Sequence, residues 1–198
     1  AVSGHQLLGG EAAASGNAAD NVVEMRGGSV ADAVVGGWAE NGGVASGNRV
    51  TVSGGHVGSS VYGGLGRLGP AVNNTAEIQG GDIVFHVYGG SVTSGSGNAD
   101  KNTVVFSGGT VGASGIRGQT RETGGSGTTN NNTVFISGGT VNSTVYGGEN
   151  RGTGASSNNR VAISGGHLGF NIYGGYSNGG AATGNIVELS GAPNLSAS

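Results

Sequence analysis

The chain has 198 residues, of which 8 are basic and 11 acidic, for a formal net charge of −3 and 10% charged residues. That balance builds no basic field to attract nucleic acid or anionic lipid. With 47 Gly, 2 Pro and no Cys, disulfides and thiolate chemistry are excluded, Gly is far above its usual share of roughly 7%, and its lack of a three-residue period excludes collagen.

Low charge combined with recurring Val and Ile argues against disorder. Apolar runs are a few residues long, so no segment reads as a transmembrane helix. The N-terminal residues lack the basic and apolar regions of a signal peptide. The sequence predicts no membrane insertion by this segment.

In chain order, LLGG at 7–10 reads as the closing half of a repeat, so residues 1–10 form a half-module. A full module then opens on Asn21 with NVVEMRGG and closes with SVADAVVGG. The next opens on Asn48 with NRVTVSGG and closes with HVGSSVYGG, and a third runs from Asn74, NTAEIQGG, to DIVFHVYGG. The module from Asn102, NTVVFSGG, closes irregularly as TVGASGIRG, with Gly115 and Ile116 standing where the others have Val and usually Tyr. NTVFISGG from Asn132 leads to TVNSTVYGG, NRVAISGG from Asn159 to HLGFNIYGG, and NIVELSG from Asn185 opens the half-module 185–198. The Asn positions are 27, 26, 28, 30, 27 and 26 residues apart. A period in this range marks a repeat array.

In N-x-V-x-[VIFML] the third and fifth residues share one face of a strand. These are Val23 and Met25, Val50 and Val52, Ala76 and Ile78, Val104 and Phe106, Val134 and Ile136, Val161 and Ile163, and Val187 and Leu189. Thr51, Ser53, Glu77, Gln79, Ser137 and Ser164 fall on the opposite, polar face, where Val105 and Phe135 are the exceptions. Four buried aliphatic side chains, at about 1.5–3 kcal/mol each, fall far short of one module's backbone entropy, at about 1–2 kcal/mol per residue. Stacking of modules must make up the difference. The predicted fold is all-β, a single-domain parallel β-solenoid over 1–198, of about six to seven coils of 26–30 residues.

The same geometry assigns roles to the repeated polar positions. Asn21, Asn48, Asn74, Asn102, Asn132, Asn159 and Asn185 are expected at corners, with left-handed dihedrals and amides bonded along the axis as a structural ladder. The Gly pairs are expected where positive φ or close backbone approach excludes a Cβ. Tyr62, Tyr88, Tyr146 and Tyr173 occupy one equivalent position and are expected to pack as stacked rings. The long linker after the irregular module, Gln119 to Asn131, with Arg121 and Glu122 beside Arg117, reads as a candidate binding loop, since repeat insertions often cluster on a binding face. Trp38 falls in the first linker.

The recurring N-x-V-x-[IV]-S-G-G-x-V and [VI]-Y-G-G segments, spanning 17–191, resemble the passenger domains of Gram-negative autotransporters, the type V secreted adhesins and haemagglutinin-like surface proteins. That resemblance implies a right-handed parallel β-helix at the bacterial cell surface, outside the cell, serving as a non-enzymatic stalk or adhesive scaffold. The partners it implies are host or cell-surface proteins or glycans. Half-modules at both ends also fit a filament of copies stacked head to tail.

Other motifs weigh less. GLGRLG at 64–69 matches a dinucleotide fingerprint, but Pro70 and the polar linker start no helix. GNAAD and GSGNAD, ending at Asp20 and Asp100, lack the spacing and recurrence of a calcium-binding solenoid. Glu24 and Glu77, two coils apart at about 9.6 Å by strand spacing, are a candidate pair for a carbohydrate-active enzyme, the least favoured reading, against which both simply hydrate the outer face. His56 and Asp82 share a position in adjacent modules and are expected to pair, with no metal or cofactor implied. The sequons at Asn73, Asn131, Asn142 and Asn194 carry little weight in so Asn-rich a chain.

Overall fold

The structure, a computed structural model, describes residues 5–121 and 125–195. The described residues form four sheets, all parallel, with no helix. Each strand pairs with the strand about one module earlier and one module later, which makes the chain a β-solenoid of about seven turns.

The N-x-V segments build one seven-stranded sheet, here the asparagine sheet: Val22–Met25, Arg49–Val52, Thr75–Ile78, Thr103–Phe106, Thr133–Ile136, Arg160–Ile163 and Ile186–Leu189. Two-residue strands after the first Gly pair, from Ser29–Val30 to His167–Leu168, form a six-stranded second wall. The closing halves build the seven-stranded tyrosine sheet: Leu7–Ala12, Val34–Ala39, Val61–Gly66, His86–Val92, Gly115–Arg121, Val145–Asn150 and Ile172–Ser177. A short sheet of Ala18–Ala19, Ala45–Ser46 and Ala71–Val72 lies in what the sequence offers only as linker.

The alternation in the asparagine strands is realised in the core. From Val23 to Ile163, the predicted inward pairs are buried and pack with Val57, Ile83, Val111, Val141 and Leu168 of the second wall and Val34, Val61, Val87, Ile116 and Val145 of the tyrosine sheet. A second, narrower core holds Ala18, Ala45, Ala71 and Ala99 against Ala39 and Val92. Val187 and Leu189 are 44% and 54% exposed, because Ile186–Leu189 is the edge strand of its sheet among the described residues.

The seven Asn residues form the expected ladder. The backbone N–H and Nδ2 of each donate to Oδ1 of the next, for example Asn48 to Asn74 at 3.0 and 2.9 Å, and the pattern runs unbroken from Asn21 to Asn185. From Asn48 onward, Nδ2 also donates to a backbone carbonyl of the preceding coil, Ala18 for Asn48 and Ala71 for Asn102, both at 2.9 Å. The corner itself differs from expectation. Positive φ falls on the residue before each ladder Asn: Asp20, Gly47, Asn73, Lys101, Asn131, Asn158 and Gly184. The ladder Asn must stay extended to place its N–H and side chain on the same neighbour.

The two Gly pairs are required for different reasons. In the first pair the second Gly takes positive φ, as at Gly55 (φ 97°). In the second pair the last Gly lies directly over the ladder amide, so a Cβ at Gly90 would sit 2.5 Å from Asn102 Cγ. The irregular module departs here, since Gln119 takes that Gly's place in the pairing and is fully buried.

Candidate functional site

With the interior repeating coil after coil, chemical individuality lies on the outer face of the tyrosine sheet. Register places one outward row at Leu8, Val35, Tyr62, Tyr88, Arg117, Tyr146 and Tyr173. Three residues further along each strand is a second row: Glu11, Trp38, Leu65, Ser91, Thr120, Glu149 and Tyr176.

The tyrosines stack as expected, Tyr62 on Tyr88 with ring centroids 4.9 Å apart and Tyr146 on Tyr173 at 5.0 Å. Between the two pairs stands Arg117. The one-residue insertion in ASG shifts the irregular module so that Ile116, not Gly115, occupies the inward Val column, and Arg117, not Ile116, aligns with the tyrosines. Gly115 absorbs the insertion at φ 85°. The Arg117 guanidinium lies 5.7 Å from the Tyr88 centroid and 5.4 Å from that of Tyr146, a cation held between ring faces. The column is continuous, with a guanidinium in place of a fifth ring.

Arg117 and Arg121 therefore lie in a strand, not in a loop. Arg117 is only 6% exposed. Glu122 lies outside the described residues. Trp38 also belongs to a strand, in the second outward row.

That second row supplies the counter-charge. Glu149, 3% exposed, accepts from Arg117 Nε at 2.6 Å and Thr120 Oγ1 at 3.2 Å through Oε2, and from Arg151 Nε at 2.9 Å through Oε1. Arg117 also donates to the Ser114 carbonyl at 2.7 Å. A carboxylate this deeply buried is stable only when paired and hydrogen-bonded, and here both oxygens are engaged. His86, stacked on Tyr88 at 4.8 Å, is pushed down to about 3 by burial, then by the positive charges of Arg117 and Arg151. It is neutral near pH 7. Burial, and then the Glu149 charge, push the Tyr146 hydroxyl up from its usual value.

Beside this cluster opens a cavity of about 410 Å³ lined by Tyr146, Glu149, Arg151, Tyr176 and Asn178. Tyr176 meets Tyr146 edge-on at 6.1 Å and Tyr173 at 6.4 Å, both with an interplanar angle of 64°. The sequence singles out Tyr146 and Tyr173 but passes over Glu149, Arg151, Tyr176, Asn178 and His86. Aligning the residue after each Y-G-G would have shown Glu149 as the only acid in the full modules' column.

His56 Nδ1 and Asp82 Oδ2 pair at 3.0 Å on the exposed surface. Glu24 is ion-paired with Arg26 and Glu77 with Arg49, with Thr51 between the two carboxylates in register. Asp100 accepts from Thr128 Oγ1 and the Asn130 N–H. Among the described residues no cluster of three or more His, Cys, Asp or Glu is arranged to hold a metal ion. Phe135 lies exposed on the outer face of the asparagine sheet, with the Arg160 guanidinium 5.3 Å from its ring.

The fold and its outward rows define a parallel β-solenoid with one chemically distinctive face. No known protein family, curated protein or solved structure matches the chain.

Proposed function

We propose that the chain is a non-enzymatic, extracellular β-solenoid scaffold that presents the outer face of its tyrosine sheet to a partner, in the manner of the autotransporter passengers it resembles. One observation carries this reading. The apolar inward positions and the Asn ladder repeat through the stack, with Gln119 the inward exception, whereas the outer face changes character at Arg117, Glu149 and Tyr176. Around the buried Arg117–Glu149 pair this face exposes Tyr173, Tyr176 and Arg151, and aromatic and arginine side chains are what interfaces favour.

Adhesion of coated beads to epithelial cells or to purified surface glycans tests it. Substitution of Tyr62, Leu65 and Tyr176 by Ser abolishes adhesion, while Thr51→Lys and Phe135→Ser on the asparagine sheet leave it intact. Equal loss from both faces, or adhesion indifferent to both, overturns the reading.

A second reading, end-to-end assembly, rests on the exposed Val187 and Leu189 and on the ladder's polarity. Asn21 presents Oδ1 at one end and Asn185 its backbone N–H at the other. A further coil fits this edge whether it comes from the same chain or from a second copy. Electron microscopy decides: filaments with an axial repeat near one subunit length support assembly of copies, and discrete monomers refute it.

A further inference from the structure

From the buried polar side chains of the irregular module we infer a binding site for water inside the solenoid, held by Gln119 and Thr129. The inference is independent of what the outer face binds.

The narrow core changes character along its length. Register carries one of its columns from Ala18 through Ala45, Ala71 and Ala99 to Thr129 and Ser156. The lumen is therefore apolar in the first coils and turns polar at the irregular module. In that module Gln119 replaces the Gly that pairs with Gly90, so a long amide enters where a Cβ on Gly90 or Gly148 would press on the ladder amide.

The two side chains share one place. One coil later the corresponding residues are Gly148 and Ser156, and the Ser156 hydroxyl donates to the Gly148 carbonyl at 3.0 Å. The same register sets Thr129 against Gln119. Both residues are fully buried, and Gln119 Nε2, Gln119 Oε1 and Thr129 Oγ1 find no hydrogen-bond partner among the described residues.

The neighbouring polar side chains are committed elsewhere. Asn132 Nδ2 donates to the Ala99 carbonyl at 3.1 Å and to Asn159 Oδ1 at 3.0 Å. Asn150 Nδ2 donates to the carbonyls of Gly127 and Ala155, and its Oδ1 accepts from the Gly152 N–H. Ser156 Oγ is shared between the Gly148 carbonyl and Asn159 Nδ2. Polar atoms stripped of solvent and left unpaired are costly, and a buried water makes about three hydrogen bonds to groups the protein leaves unmatched.

The chemistry of the three atoms selects the ligand. Nε2 only donates, Oε1 only accepts and the Thr129 hydroxyl does both. A metal cation is opposed by the Nε2 donor and an anion by Oε1. Water accepts from the first, donates to the second and exchanges either kind of bond with the third.

Oxygen-17 relaxation dispersion of the full chain counts long-lived internal waters without interference from hydrogen exchange, and a high-resolution crystal structure places them. The parent should hold at least one long-lived water more than Gln119→Met, a side chain of similar length without the amide. Gln119→Gly restores the residue of the other modules and lets Thr129 reach the main-chain carbonyl of residue 119, as Ser156 reaches that of Gly148. It should lose the same water, and it supplies the comparison if Gln119→Met does not fold. Phe135→Ser, on the outer face, should leave the count unchanged. In the parent crystal a water is expected within hydrogen-bond reach of both Gln119 and Thr129. Equal dispersion in the parent and a folded Gln119 variant overturns the inference. So does a crystal structure in which Gln119 and Thr129 bond directly to each other, or another side chain closes on the Gln119 amide, with no water between them.

Discussion

Replacing Asn102 by Ala removes four hydrogen bonds from the middle of the ladder. Asn102 Oδ1 accepts from the Asn74 backbone N–H and Nδ2, at 3.0 and 3.1 Å, and Asn102 Nδ2 donates to Asn132 Oδ1 at 3.2 Å and the Ala71 carbonyl at 2.9 Å. Not all partners are orphaned. Asn132 Oδ1 keeps the Asn102 backbone N–H and Asn74 Nδ2 keeps the Ala45 carbonyl. The Asn74 N–H and the Ala71 carbonyl lose the partners described here, in fully buried surroundings. At about 1–3 kcal/mol for each buried unsatisfied group, the expected loss is about 2–6 kcal/mol. Urea unfolding followed by far-UV circular dichroism measures it, with the exposed Asn142→Ala as a control expected within about 0.5 kcal/mol of the parent. A loss below about 1 kcal/mol for Asn102→Ala, with an unchanged urea slope, would refute the view that the ladder is a structural spine.

Three further outcomes follow from the same geometry. Gly28 and Gly55 both have positive φ, but a Cβ at Gly28 meets nothing within 4 Å whereas at Gly55 it lies 2.6 Å from the Gly28 carbonyl oxygen. Gly28→Ala should cost about 1–2 kcal/mol of left-handed strain and Gly55→Ala clearly more; equal melting temperatures would contradict the stacking. Arg117→Tyr completes a five-ring column yet strips Glu149 of one guanidinium, at about 3–5 kcal/mol for a broken buried pair. Adding Glu149→Ser should recover most of that loss, and a double-mutant cycle showing additivity would deny the coupling. His86 has a folded pKa below its unfolded value, so its contribution is complete above pH 6.5 and is lost as pH falls towards about 3. With screening at this partly exposed ring, the parent should lose about 1 kcal/mol more than His86→Gln between pH 7 and 5, read by chemical denaturation at both pH values.

The scaffold was legible in the sequence because its signals are redundant. Period-2 alternation predicts the inward pairs from Val23 and Met25 to Val161 and Ile163, and the same Asn opening every module predicts the ladder. The short alanine sheet was not legible, since a two-residue strand such as Ala45–Ser46 spans a single strand period and shows no repeat of it. The left-handed corner was misplaced by one residue because its position varies among Asp, Gly, Asn and Lys, whereas the residue after it is Asn in every module. The site failed for a related reason. In the sequence Gly115 and Ile116 break the motif, whereas in the structure a one-residue insertion moves Arg117 into the tyrosine column. Its partner Glu149 lies a full coil away, a proximity that only the stacked register reveals.

Hydrogen exchange of the asparagine side chains tests the stacked ladder most directly. In NMR-detected exchange the Nδ2 protons of Asn48, Asn74, Asn102, Asn132 and Asn159, each shared between a neighbouring Oδ1 and a carbonyl of the preceding coil, should be protected to the level of the core backbone amides around Val50 and Val104. Exchange as fast as that of the exposed Asn142 would contradict the ladder and, with it, the solenoid it holds in register.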